Sequence, residues 1–182
     1  MATLNDYLAQ KRDALTARKG RIEAGQLGAT ALAANVRIAG RSGIREIRIR
    51  DHAVITDSPP DFAGYDLGPS SPELQLGVLG SCVAHIYLIH AADQQVPIES
   101  LDVEVRGTID PRAGSAGHEQ TPVWPHDIGY TVRIDSNASD AALRTLHETV
   151  ERLCPILNLL RNPQSIESRL ERIGRIPAEK AA

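Results

Sequence analysis

Aromatic residues are scarce in this chain of 182 residues, at 3 % of the total, with one Trp and one Phe. The core must therefore be aliphatic, and the chain lacks the aromatic platform on which proteins stack single-stranded nucleic acid. A basic excess is missing too, because 20 Lys and Arg stand against 23 Asp and Glu. A dedicated nucleic-acid binder would carry a basic patch or stripe, so we expect no nucleic-acid partner.

Cysteine is limited to Cys82 and Cys154, far apart in the sequence. Without a CxxC pair the chain contains neither a zinc ribbon nor a thioredoxin motif. His85 and His147 share helix faces with the two cysteines, which leaves a Cys–His dyad as a minor alternative. Structural metal sites usually take a closer cysteine pair, so we expect no metal and no cofactor.

The first residues show no basic segment followed by an apolar run. We therefore expect no signal peptide and a cytoplasmic location. In that reducing compartment two cysteines are more often thiols than a structural disulfide.

One apolar stretch, Leu74 to Ala92, contains no formally charged residue. Its length approaches the roughly 20 residues that cross a bilayer. Glycine, serine, glutamine and two histidines interrupt it, and no Lys or Arg flanks it closely. We predict a helix buried in a protein core and no membrane partner.

The rest of the chain predicts strands that come in runs. An amphipathic helix over residues 3–24 precedes strands over 30–38, 44–50 and 52–57. The apolar helix starts at Ser71-Pro72-Glu73, with Ser at the cap and Pro in the first turn. After it, strands over 101–109 and 128–134 flank a loop rich in Gly and Pro, and a helix opens at Ser139 and Asp140.

The C-terminal part contains two further short segments. Residues 156–161 predict one or two helical turns, and 166–170 predict a last strand or a short helix. This order of elements is typical of the α+β class. We divide the chain into a helical appendage at 1–28, a main domain at 29–176 and a disordered tail at 177–182.

Four positions suggest chemistry, each with a plain structural alternative. Cys82 lies midway along the apolar helix, where it could simply be a small core residue. Cys154 precedes Pro155, so it either caps a new helix, whose N–H groups would stabilise a thiolate, or continues the apolar stripe of the preceding helix. Arg45 shares a strand face with Ile47 unless the strand begins only at Ile47, and Glu73 could be no more than a first-turn carboxylate.

Several segments resemble the OsmC/Ohr family, the osmotically inducible protein C and organic hydroperoxide resistance proteins. The likeness runs from about residue 30 to residue 170, and the segments that carry it are Gly64–Leu74, Leu79–Cys82, Ile98–Val105, Tyr130–Ser136 and Glu151–Pro155. The resemblance implies an antiparallel sheet with two central helices, in an intertwined homodimer whose active sites lie at the subunit boundary.

The resemblance also implies thiol-dependent reduction of hydroperoxides. Cys82 would be the peroxidatic thiol and Cys154 the resolving thiol, with a dithiol as reductant. The family's peroxidases add an arginine that is held by a glutamate. Glu73 matches that glutamate, and the arginine is either Arg41, in the turn Gly40–Gly43, or Arg45 on the strand.

A second function stays open at this stage. The chain could be a non-catalytic binding protein of the same fold, with an apolar small-molecule pocket and structural cysteines. A reactive thiol near neutral pH would favour the peroxidase, because a core cysteine does not react there.

Overall fold

The computed structural model describes residues 2–173 of the chain. Its first element is helix α1 (Leu4–Glu23). A capping box between Thr3 and Asp6 marks the start of this helix. Leu8 is buried, and Leu4 and Leu15 pack against the same core. The helix predicted over residues 3–24 is confirmed.

Three antiparallel strands follow as a meander, β1 (Asn35–Ile38), β2 (Arg45–Ile49) and β3 (His52–Thr56). The register places Val36, Ile47 and Val54 in one row, and Ile38, Arg45 and Thr56 in the next. The predicted meander is confirmed, and Arg45 is part of the strand, so a strand that begins only at Ile47 is wrong.

The first strand is shorter than the sequence predicts. Residues 30–34 alternate in the manner of a strand, but pairing with β2 begins only at Asn35, opposite Arg48. Without a neighbouring strand the alternating side chains remain exposed, as Leu32 shows. Alternation alone could not reveal where the partner strand ends.

The long apolar helix is α2 (Ser71–Gln94), and its cap is Ser70 rather than the predicted Ser71. The Ser70 Oγ accepts the Glu73 N–H at 3.4 Å, and the Glu73 carboxylate accepts the Ser70 N–H at 2.7 Å. This reciprocal pair is a capping box, whose spacing of Ser and Glu three residues apart fixes the first residue of the helix.

A long hairpin, β4 (Ser100–Thr108) and β5 (His126–Asp135), packs against α2. Val103 pairs with Val132, and Val105 with Tyr130, so one face of the hairpin is apolar. The contact with α2 is close, because a Cβ on Gly80 would lie 3.0 Å from the Val105 side chain. Gly80 thus sets how near α2 approaches the hairpin.

Two helices complete the described part, α3 (Asp140–Leu153) and α4 (Pro155–Arg161), and both pack on α2. Cys154 ends the first helix and caps the second. Residues 166–170 form neither the predicted strand nor the predicted helix: Ile166 and Leu170 are exposed and have no partner element in the described chain. The predicted tail at 177–182 lies outside the described residues.

The buried core surrounds α2. Helices α1, α3 and α4 and the hairpin each contribute side chains to this core. The helix is long and apolar enough to cross a membrane by length and composition alone. Here four other elements pack around it, which is the arrangement of a core helix.

Candidate active site

Cys82 lies on α2, half-buried, beside a cavity of about 450 Å³. The cavity walls are mainly apolar, and the other lining residues are Leu74, Gly77, Val78, Ser81, His85 and Ile156. A thiol in this position is reachable by a small molecule while its surroundings favour an apolar one.

Cys154 is fully buried directly beside Cys82, and both cysteines are free. Their Sγ atoms are 3.5 Å apart. A disulfide needs about 2.05 Å, so a shift of about 1.5 Å would join them. The fold therefore brings together two thiols that are distant in the sequence.

Burial raises the pKa of the Cys154 thiol above its ordinary value. The N–H groups of Leu157 and Ile156, in the first turn of α4, lower it, but they do not outweigh burial and the neighbouring Cys82. Cys154 is thus both a helix cap and a core residue, and the effect of the core environment on its pKa is the larger one.

The break between α3 and α4 is held by a residue that the sequence analysis overlooked. Pro155 has no N–H to continue the helix, and the Asn158 Nδ2 donates instead to the carbonyl of Cys154 at 2.8 Å and of Arg152 at 3.2 Å. This side chain fixes the backbone on both sides of Cys154. Asn four residues after a Cys-Pro break would have been the signal for it.

Glu73 is engaged in the capping box at the start of α2. Its hydrogen bonds with Ser70 lower its pKa, so it is ionised at neutral pH. Among the described residues it forms no ion pair. Glu73 lines a groove whose walls include Gly77 and Ser81, and the same two residues line the Cys82 cavity.

Arg45 points into the loop between β3 and α2. Its guanidinium donates to the Asp57 carbonyl at 2.7 Å, the Gly43 carbonyl at 2.9 Å and the Thr56 Oγ1 at 3.1 Å. Arg41 is exposed in the turn between β1 and β2. The structure forms no hydrogen bond or ion pair between either arginine and Glu73 or Cys82 within residues 2–173.

A buried carboxylate organises that loop, and sequence analysis missed it as well. The Asp57 Oδ2 accepts the Tyr65 N–H at 3.0 Å and the Leu67 N–H at 3.3 Å. Burial alone would raise the pKa of Asp57. Backbone hydrogen bonds and the charge of Arg45 have a larger, opposite effect, so the pKa of Asp57 lies below its ordinary value. Asp57 and Arg45 together shape the approach to α2.

This shift predicts a dependence of the loop on pH. Because the folded pKa of Asp57 is depressed, its contribution to stability is present above the ordinary Asp pKa of about 3.9 and is lost as pH falls through the folded value. We expect the amide resonances of Tyr65 and Leu67 to titrate below pH 3.9. Asp57→Asn should remove that titration, and a midpoint above 3.9 in the parent protein would contradict the arrangement.

Metal chemistry finds no support in the described part of the chain. No three His, Cys, Asp or Glu side chains lie close enough together there to hold an ion.

These features define a class: an α+β subunit with a thiol pair beside an apolar cavity. The sequence model of one family, described as OsmC-like protein, matches residues 64–169. That is more than half of the chain, and the chain belongs to the OsmC-like protein family. No curated protein sequence matches it.

Solved structures show the same fold. An OsmC-like protein from Mycoplasma pneumoniae is similar with a TM-score of 0.62 at 16 % identity, over 74 % of this chain and 89 % of that one. An organic hydroperoxide resistance protein OsmC from Legionella pneumophila gives 0.53 at 15 % identity, over 74 % and 92 %. The predicted α+β, OsmC-like fold is confirmed.

Proposed function

We propose that this protein reduces organic hydroperoxides, with Cys82 as the attacking thiol and Cys154 as the resolving thiol. The observation that carries the proposal is the 3.5 Å between the two Sγ atoms at the edge of an apolar cavity. The Legionella relative is named for resistance to organic hydroperoxides, which fits the same chemistry.

The reaction balances with one peroxide and two thiols. The Cys82 thiolate attacks the distal peroxide oxygen, the O–O bond breaks, an alcohol leaves, and the sulfur becomes a sulfenic acid. Cys154 then condenses with that sulfenic acid, and water leaves as the disulfide forms. A dithiol of the cytoplasm reopens the disulfide and is itself oxidised.

The position of each cysteine suits its proposed role. Cys82 faces the cavity, whose Leu74, Val78 and Ile156 would hold the alkyl part of the peroxide. Cys154 is fully buried, so a peroxide in solution reaches Cys82 first. The raised pKa of Cys154 also favours its protonated form in the reduced protein.

We propose further that the working form is a homodimer. One face of the β1–β3 sheet is apolar but has no cover among residues 2–173: Val36 and Ile38 are each 57 % exposed. None of the buried apolar residues in the described core comes from these strands. A second copy of the chain would bury this face, as the family's intertwined dimer implies.

The dimer would also bring an arginine side chain close to Cys82. Arg45 lies on the uncovered face, in the row next to Ile47, and Arg41 lies at one end of the same sheet. In a dimer Arg41, or Arg45 once released from its bonds to Thr56 and Asp57, could reach the groove that Glu73 lines in the other subunit. A guanidinium there would favour the Cys82 thiolate, and Glu73 would orient it.

Alkylation of Cys82 at different pH values tests this assignment. An arginine within about 4–6 Å of the thiolate lowers the pH at which the sulfur reacts by about 1–3 units. We expect the Ala variant of the correct arginine to move the alkylation midpoint upward by that amount, and Glu73→Ala to move it less. The other arginine serves as the matched control and should leave the midpoint in place.

The role of the cation would be refuted if the pH dependence of Cys82 alkylation stayed as in the parent in all three variants, Arg41→Ala, Arg45→Ala and Glu73→Ala. The same result would favour the alternative function, a non-catalytic protein that binds an apolar small molecule. The molecular mass of each variant in solution is compared with that of the parent. A variant that no longer dimerises would change the pH dependence through loss of the interface and not through loss of its own side chain at the site.

A further inference from the structure

A second cavity, of about 300 Å³, lies among β5, α3 and α4. Successive residues of α4 line the two cavities: Ile156 faces the Cys82 cavity, and Leu157 faces the second one. We call the second cavity the β5–α4 crevice. Its volume falls at the lower end of the range of small-molecule sites.

One wall of the crevice is apolar and the other is polar. The apolar wall consists of Leu79, Ile128, Leu157 and Leu160. On the polar side, the Tyr130 hydroxyl donates to Glu151 Oε1, and the Arg161 Nη2 donates to Glu151 Oε2 at 2.7 Å. Both oxygens of the carboxylate therefore already have partners, and its charge is balanced by Arg161.

Free hydrogen-bond donors remain on this wall beside the carboxylate. Arg161 uses one of its five N–H groups on Glu151, and its side chain is 50 % exposed. The buried Tyr87 hydroxyl meets Nδ1 of His147. Burial, followed by the charge of Glu151, raises the pKa of Tyr87 to about 12, so Tyr87 stays protonated and its hydroxyl shares a hydrogen bond with Nδ1.

This bond occupies Nδ1 of His147, and Nε2 is the other ring nitrogen. His147 and Arg161 both line the crevice. The polar wall thus presents a half-exposed guanidinium and an imidazole ring, while the charge of its carboxylate is balanced by Arg161. Such a wall selects an acceptor that carries negative charge.

We propose that the β5–α4 crevice binds a small monocarboxylate with an apolar tail. The carboxylate accepts hydrogen bonds from Arg161 and His147, and the tail lies along Leu157 and Leu160. The crevice does not contain Cys82, so this proposal stands whether or not the protein reduces peroxides.

Isothermal titration of the reduced full-length protein with octanoate tests the proposal. We expect saturable binding at one site per chain, and at least about tenfold weaker binding by Arg161→Gln, because a hydrogen bond to a charged group is lost. 1-Octanol, which has the tail without the carboxylate, should bind at least about tenfold more weakly than octanoate. Arg133→Gln, at an exposed arginine of β5 that pairs with Asp102 and Glu104, should bind octanoate as the parent does.

A second variant distinguishes the two cavities. Val78 is partly exposed and lines only the Cys82 cavity, so Val78→Trp fills that cavity and should leave octanoate binding unchanged. Absence of binding by the parent protein, or parent-like binding by Arg161→Gln, overturns the proposal. Loss of binding in Val78→Trp alone would place octanoate beside Cys82 and also overturn it, without bearing on peroxide reduction.

Discussion

Replacing Cys82 with Ser is expected to lower the rate of cumene hydroperoxide reduction by at least about a thousandfold, since the thiolate is the nucleophile and a hydroxyl does not replace it. The measurement is consumption of the peroxide in the presence of excess dithiol. The fold should tolerate the change, because Cys82 is only partly buried and Ser is similar in size.

Cys154→Ser is the matched control, with the same substitution at the neighbouring sulfur. Without added dithiol, this variant should consume one equivalent of peroxide per chain and stop at the Cys82 sulfenic acid, which a dimedone adduct would reveal by mass, whereas the parent should form the disulfide and give no adduct. Full turnover by Cys82→Ser in the assay with dithiol would contradict the assignment. A dimedone adduct in the parent equal to that in Cys154→Ser would leave Cys82 in place but remove the resolving role.

The second large effect is expected at the uncovered sheet face. Ile47→Asp should raise the dissociation constant of the dimer at least about a thousandfold. Loss of one buried Ile costs about 1.5–3 kcal/mol, a buried carboxylate adds a desolvation penalty, and a symmetric interface contains both changes twice. Light scattering at micromolar concentration measures the result.

Ala53→Asp provides the control, because it introduces the same charge on the opposite face of the same sheet. The register pairs Ala53 with Arg48, one residue along β2 from Ile47. Ala53→Asp should remain a dimer. A parent protein that is monomeric, or an Ile47→Asp variant that dimerises like the parent, would show that this face is not the interface.

Local signals in the sequence predicted most elements of the fold. The apolar run made α2 evident, and the alternation of Leu101, Val103 and Val105 made β4 evident. The errors arose where a partner decides the outcome. Residues 30–34 alternate but have no strand to pair with, and 166–170 have no surface of the described chain to cover them.

The sequence indicated some residues of the candidate site and gave no signal for others. The resemblance to a family marked Cys82 and Cys154, and the fold places them in contact. No pattern in the sequence indicated that Asp57 would organise the loop beside Arg45, because its partners are backbone N–H groups. In the proposed dimer the place of Arg41 and Arg45 relative to Cys82 depends on a second subunit, which one chain's sequence does not describe.

The most direct test of the central claim is the thiol count of the reduced protein during titration with tert-butyl hydroperoxide, followed by peptide mapping. The proposed mechanism predicts that one equivalent of peroxide removes two thiols per chain and that a single intramolecular Cys82–Cys154 disulfide appears. Two thiols that persist through a tenfold excess of peroxide, or oxidation that ends only in sulfinic acid or in links between subunits, would contradict it.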